Sequence, residues 1–149
     1  MIDSLIAIFE RDLQRLHNQI EMYSSDDLLW STVEGVTNSG GNLCLHLVGN
    51  LRTFIGGQLG NTGYVRDRHA EFNDKFVDRN KMLADVLDTK VMVTQTIQSL
   101  SATDLEAVYP IEVFKKPMTT QFFLIHLATH LSYHLGQINY HRRILSRAI

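Results

Sequence analysis

Phe122 to Arg143 reads FFLIHLATHLSYHLGQINYHRR and holds four of the chain's seven histidines: His126, His130, His134 and His141. Three are four residues apart and the fourth follows by seven. On a helix, at about 100° per residue, all four fall within an arc of about 80°. Imidazoles in that arrangement are suited to holding a metal ion, because an i, i+4 pair places two rings side by side. One ion cannot reach His126, His130 and His134 together, since the outer two are about 12 Å apart along the axis. One pair would bind, His126 with His130 or His130 with His134, and a further ligand must come from another helix. The competing explanation is ordinary: a histidine beside a core is usually a hydrogen-bonded structural residue.

The ligand from elsewhere is His46, within NLCLHLVGNLRTF. Asn42, Asn50, Thr53 and Gly57 share its helical face, a lane of small or polar residues in a segment otherwise filled with Leu, Val, Ile and Phe. Such a lane needs polar partners, and a facing histidine stripe would supply them. On the histidine segment, Leu124, Leu127, Leu131, Leu135, Ile138 and Leu145 form the stripe adjoining the histidines. Ala128, Ser132, Asn139 and Arg143 lie opposite and read as solvent-facing. The histidines should therefore turn inward. His17, His69 and His141 read as surface or structural.

The elements that must carry these residues are helices. Pro110 and Pro117 are the two prolines, which leaves long tracts free of helix breakers. The periodicity predicts a first helix from about Asp3 to Met22, with Ile2, Leu5, Ile6, Phe9, Leu13, Leu16 and Ile20 on one face and Asp3 or Ser4 as cap. YSSDDLLW ends it with a turn or half-helix. GVTNSGGN is a loop signal. A second helix, apolar almost all round and hence central, runs from about Asn42 to Gly57, capped by Asn42 or Ser39 and closed by Gly56 and Gly57. GQLGNTGYVRDRHAEF reads as a glycine-rich, charged loop. The third helix runs from about Asp78 to Leu100, with Met82, Val86, Val93 and Ile97 toward the core. SATDLEAVYPIEVFKKPMTT has strand character, and its VYPIEVFKKP is expected to form a short hairpin or an extended crossover. The fourth helix runs from about Thr119 to Ser146, with Thr119 or Thr120 as cap. Four long helices make an all-α four-helix bundle, a single domain over residues 1–149. The long connection between helices three and four permits a non-sequential arrangement.

Composition narrows the function classes. Hydrophobic residues make up 44% and charged residues 20%, a globular balance, and the net charge of -2 with no basic block argues against a nucleic-acid partner. Asp3, Glu10 and Arg11 fall too early for a signal peptide, and no apolar run reaches membrane-span length. The single cysteine, Cys44, excludes a disulfide framework and, set among leucines, reads as buried and inert. A cytoplasmic location is expected.

HLATHLSYHLGQ together with the upstream GNLCLHLVGNLR resembles the DinB-like superfamily, the DinB/YfiT-like metalloenzymes, across nearly the whole chain. With RDRHAEF added, the sequence is especially similar to an uncharacterised bacterial branch. The resemblance implies a four-helix bundle in an up-down-down-up arrangement, a homodimer, and a divalent metal held by three histidines. By position these are His46, His130 and His134, since the last ligand stands just before the x-G-Q run. His126 then corresponds to a histidine that is not a ligand. Leu135 departs from the arginine that relatives often carry there. The implied function is a metal-dependent enzyme acting on a small molecule, with thiol transfer and hydrolysis as candidate reactions and a low-molecular-weight thiol as candidate substrate. The alternative is a non-catalytic protein that binds metal or a small molecule.

Three neutral imidazoles suit zinc, nickel or iron better than magnesium or calcium. Such an ion keeps an open position for substrate. No carboxylate shares the histidine stripe, so the sequence names no general base. Tyr133, Gln137, Asn50 and His126 are the candidate supporting or substrate contacts. Arg66, Asp67, Arg68 and Glu71 of RDRHAEF are expected to pair with one another or to cap the third helix. The functional alternative for this segment is an anion clamp at the pocket mouth or a dimer contact.

Overall fold

The structure is a computed structural model that describes residues 1–146. It contains α1 (Ile2–Glu21), α2 (Asp26–Trp30), α3 (Gly40–Leu51), α4 (Arg68–Asn73), α5 (Arg79–Gln98), α6 (Ala102–Glu106) and α7 (Thr120–Leu145). Four of these, α1, α3, α5 and α7, are the long helices that the apolar periodicity predicts. The fold is all-α, and among the described residues the only β pairing is one antiparallel bridge, Val108 with Thr119.

α1 buries Leu5, Phe9, Leu13, Leu16 and Ile20, spaced at three and four. It begins at Ile2 without a side-chain cap. Asp3 and Ser4, expected as caps, lie inside its first turn, where the Asp3 charge complements the helix dipole. α1 packs chiefly along α5 and α7, and α3 packs along α7 and α5. α1 therefore pairs chiefly with the third and fourth long helices rather than with the second, as the long α5–α7 connection permits.

α3 is central: every residue from Gly40 to Leu51 is buried except half-buried Leu45. Ser39 caps it, accepting from the Asn42 backbone N–H at 3.1 Å, so the helix begins two residues earlier than Asn42. Its expected stop at Gly56–Gly57 is not observed. The chain continues as a wide π turn over Arg52–Gly57, then through Leu59. Gly56, and Gly60 beyond it, serve close packing instead. A Cβ on Gly56 would stand 3.0 Å from Met92 Sδ, and one on Gly60 would stand 2.7 Å from Thr96 Oγ1. Arg52, at the start of this turn, donates to Thr89 Oγ1 at 2.9 Å and to Asp85 Oδ1 at 3.1 Å, fastening it to α5.

Two short helices lie where loop or strand was expected. α4 occupies the end of the charged segment, and Asp67 rather than a longer-range contact caps it, accepting from the Ala70 N–H at 2.9 Å. The third long helix, α5, has its own cap in Asp78. α6 forms because Ser101 and Asp104 make a reciprocal capping box. Beyond it VYPIEVFKKP is neither a strand hairpin nor an extended crossover but a loop of bends closed at its base by Tyr109 N–H to Met118 O and Thr120 N–H to Ala107 O, both 2.9 Å.

α7 spans about 39 Å at 1.5 Å per residue, with Thr119 as cap. Its far end is anchored by His141, a buried structural residue and not a surface one. His141 Nε2 donates to Ser31 O at 3.0 Å, and its Nδ1 accepts from the Tyr23 hydroxyl at 2.7 Å. Ala128, expected to face solvent, is buried as well. Its methyl group lies on the side of α7 that the bundle covers, while Ser132 and Arg143 are exposed as expected. Cys44 is buried at 1% exposure, and burial pushes its thiol up to about 12, consistent with an inert side chain. Among the described residues no helix is long and apolar enough to cross a membrane.

Candidate metal centre

The packing of α3 on α7 brings His46, His130 and His134 together. One nitrogen from each lies within 4.8 Å of the others. The nitrogens that meet are Nε2 atoms: His46 to His130 at 3.3 Å and His134 to His130 at 3.1 Å. The i, i+4 spacing on α7 supplies two of the rings and the polar lane of α3 the third. His126 stays outside. Its ring stacks on Phe123 at 5.8 Å, meets Phe114 edge-on at 4.7 Å, and lies 6.2 Å from the His130 ring.

Hydrogen bonds on the outer nitrogens fix how the inner ones are protonated. His46 Nδ1 lies 3.0 Å from Glu71 Oε2. Burial alone would raise the Glu71 carboxyl, but hydrogen bonds from His46 and Arg66 and the Arg66 charge outweigh it and hold the group below the ordinary carboxylate value. An ionised carboxylate only accepts, so His46 carries its proton on Nδ1. His134 Nδ1 lies 2.6 Å from Gln137 Oε1, again an acceptor, so its proton is also on Nδ1. In their neutral forms both rings therefore point a bare Nε2 lone pair at the centre.

His130 sits between them and resists protonation. Burial, then the neighbouring His134, His46, His126 and Arg66, lower its pKa to about 4. A neutral His130 has one proton and can satisfy at most one of its two neighbours through Nε2. At least one pair of lone pairs is then opposed at close range. A cation between the rings removes that conflict, so the donor set fits a metal ion.

Glu71 is the residue that sequence reading did not place. It is 6% exposed and takes two bonds from Arg66, at 2.6 Å from Nε and 2.9 Å from Nη2. The expected pairing within RDRHAEF thus exists, but its carboxylate also reaches across to His46. Asn42 makes this possible: its Nδ2 donates to Glu71 O and to Asp74 O, each at 2.9 Å, clamping α4 onto α3. Gly49 leaves the room, since a Cβ there would lie 2.0 Å from Glu71 Oε1. The only sequence signal was a glycine one turn after Leu45, in a helix apolar almost all round. Gly49→Ala is expected to expel the Glu71 carboxylate and to cost about 1–3 kcal/mol of stability, read from denaturant midpoints.

The remaining candidates divide. Gln137 touches the centre through His134, as above. Tyr133 places its ring 5.3 Å from the His134 ring but is 65% exposed. Asn50, one turn after His46 on α3, lines an adjoining cavity of about 200 Å³ with His46, His130 and Arg68.

The histidines also set a pH dependence for the metal-free protein. Unfolded His130 takes up a proton near its ordinary 6.5, whereas the folded ring does so only at about 4. The unfolded state binds more protons in between, so stability is expected to be full above pH 6.5 and to fall as pH drops toward 4. His134 and His141, also lowered chiefly by burial, act in the same direction. Urea midpoints across this range should show the decline, and His130→Gln should make it shallower.

Over residues 1–148 the chain matches the family described as "Protein of unknown function (DUF1572)". The crystal structure of a DinB-like protein from Bacillus cereus ATCC 10987 superposes with a TM-score of 0.70, over 91% of this chain and 86% of that one, at 15% identity. At that identity the likeness establishes the fold, which is the DinB-like one. Among curated proteins no sequence matches the chain.

Proposed function

We propose, from the premise that this chain belongs to the DUF1572 family and carries a DinB-like fold, that it is a metal-dependent enzyme acting on a small molecule. The observation that carries the reading is the convergence of three Nε2 atoms whose protons are directed elsewhere, His46 by Glu71 and His134 by Gln137. His46, His130 and His134 would hold one divalent ion. An all-imidazole set favours zinc, nickel or iron. When bound, such an ion supplies a Lewis acid that polarises a substrate group.

The chain's own residues do the rest. Glu71 and Gln137 orient two rings, Arg66 keeps Glu71 ionised, and Phe54 and Phe123 form apolar parts of the cavity wall beside His130. A low-molecular-weight thiol is the substrate we favour, with transfer or hydrolysis as the reaction, in a cytoplasmic homodimer. No nucleic-acid or membrane partner enters this reading.

A second reading, a non-catalytic metal-binding or small-molecule-binding protein, is favoured by one observation. The acid nearest the centre, Glu71, is fully engaged by Arg66 and His46 and is not free to move protons for a substrate. Elemental analysis and titration with zinc, nickel and iron(II) at neutral pH test the common part. About one equivalent per chain is expected, and uptake of none of them overturns the metal centre. A thiol-transfer and hydrolysis screen on the loaded protein then separates enzyme from binder.

A further inference from the structure

Asn50 is 8% exposed, and its Oδ1 is buried without a hydrogen-bond partner. Buried polar atoms of this kind are uncommon and call for an explanation. Its position supplies one. Asn50 follows His46 by one helical turn on the same face of α3 and lines the cavity that His46 and His130 also line. The rest of that wall mixes apolar side chains, Phe54, Phe123 and Leu127, with His126, Arg66 and Arg68, and among the described residues no group bonds to Oδ1. The arginines nearby are directed elsewhere. Arg66 binds Glu71, and the Arg68 guanidinium lies over the Phe72 ring at 5.6 Å.

We infer that Asn50 is a specificity-determining residue that reads an N–H donor on the ligand held at the three-histidine centre. The ligand class is an amide-like or hydroxamate-like small molecule whose N–H is adjacent to the atoms that face the metal. The cavity's volume of about 200 Å³ admits a group of several non-hydrogen atoms, since one water occupies about 30 Å³ in the liquid. A donor at this place satisfies Oδ1, whereas an analogue lacking it leaves the acceptor buried and unpaired. Sites built in this way discriminate through the penalty on the wrong ligand. The inference rests on the metal centre proposed above.

The test uses two probes on the zinc-loaded full chain, acetohydroxamate and N-methylacetohydroxamate. Both present the same pair of oxygens, but the second has no N–H. Calorimetric titration should show the wild type preferring acetohydroxamate by about tenfold, as expected for one hydrogen bond to a buried acceptor. Asn50→Leu keeps the side-chain volume and removes the acceptor, so the preference should shrink to about onefold while zinc content stays at wild-type level. Equal affinity of the two probes for the wild type overturns the inference, as does a preference that survives in Asn50→Leu. The wild-type comparison decides even if the variant fails to fold. Zinc content, measured separately, shows which claim has failed. A chain that takes up no zinc overturns the metal centre and this inference with it, whereas a loaded chain indifferent to the N–H overturns this inference alone.

Discussion

Alanine at His46, His130 or His134 is expected to abolish one-to-one uptake of a divalent transition metal, with His126→Ala retaining it. Each of the three contributes one Nε2 to a cluster within 4.8 Å, so each substitution reduces three ligands to two. Structural zinc sites bind with roughly 10–16 kcal/mol over four ligands, or about 3 kcal/mol per ligand, which corresponds to more than a hundredfold in affinity. His126 contributes packing against Phe114 and Phe123, and its loss should weaken binding by at most about tenfold to a hundredfold, through the orientation of His130. Metal content after dialysis, with competition titration, checks both arms. Retention of metal by His134→Ala together with its loss from His126→Ala would reverse the assignment.

The second large effect belongs to Glu71. Glu71→Gln places an amide where a carboxylate accepted from both His46 and Arg66. The single amide oxygen is claimed by Arg66, which only donates, so the amide N–H group faces His46 Nδ1 and disfavours a proton there, and metal affinity should fall about tenfold to a hundredfold. The Arg66 charge, 15% exposed at its side chain, loses its counter-ion, and stability should fall by about 3 kcal/mol, in the range for breaking a buried pair. The double variant Arg66→Met, Glu71→Leu, which leaves no acceptor for His46 and no stranded charge, separates the two effects. It should recover part of the stability, because the stranded charge is gone, but none of the metal affinity. Full recovery of metal binding in the double variant would show that Glu71 acts only through packing.

Long helices were legible because their signal is long. α1, α3, α5 and α7 each repeat an apolar pattern or a continuous apolar face over three or more turns, and Ser39, Asp78 and Thr119 mark their starts. The histidine cluster was legible for a related reason: two of its rings share one helix, and the third was the imidazole on a polar lane. The structure divides that lane among different tasks. Asn42 clamps α4, His46 enters the cluster, Asn50 faces the cavity, and Thr53 donates to its own helix at Gly49 O. Choosing His134 over His126 as the second ligand on α7 needed the family resemblance, since spacing treats the two pairs alike.

What escaped sequence reading is short or depends on distant contacts. α4 and α6 have six and five residues, too few to show a period. The π turn at Arg52–Gly57 changes residues per turn without changing composition, so a 3.6-residue wheel carries the helix stop to the wrong glycines. Glu71 looked like one more charge in a solvated segment because its burial is imposed by Asn42, twenty-nine residues earlier in the chain.

The Asn42 clamp has a dynamic consequence. A six-residue helix has almost no stability alone, so α4 persists by virtue of the two bonds from Asn42, the Glu71 contacts and the Phe72 ring, 4.9 Å from that of His46. These are few enough to break together while the long helices remain formed. α4 is thus expected to open as a cooperative unit of its own. Its amide protons should exchange with solvent faster than those of the α3 interior, and each opening takes Glu71 off His46. The protonation pattern of the histidine cluster would then be renewed at every closure, at a rate set in part by a side-chain amide that makes no hydrogen bond to the cluster.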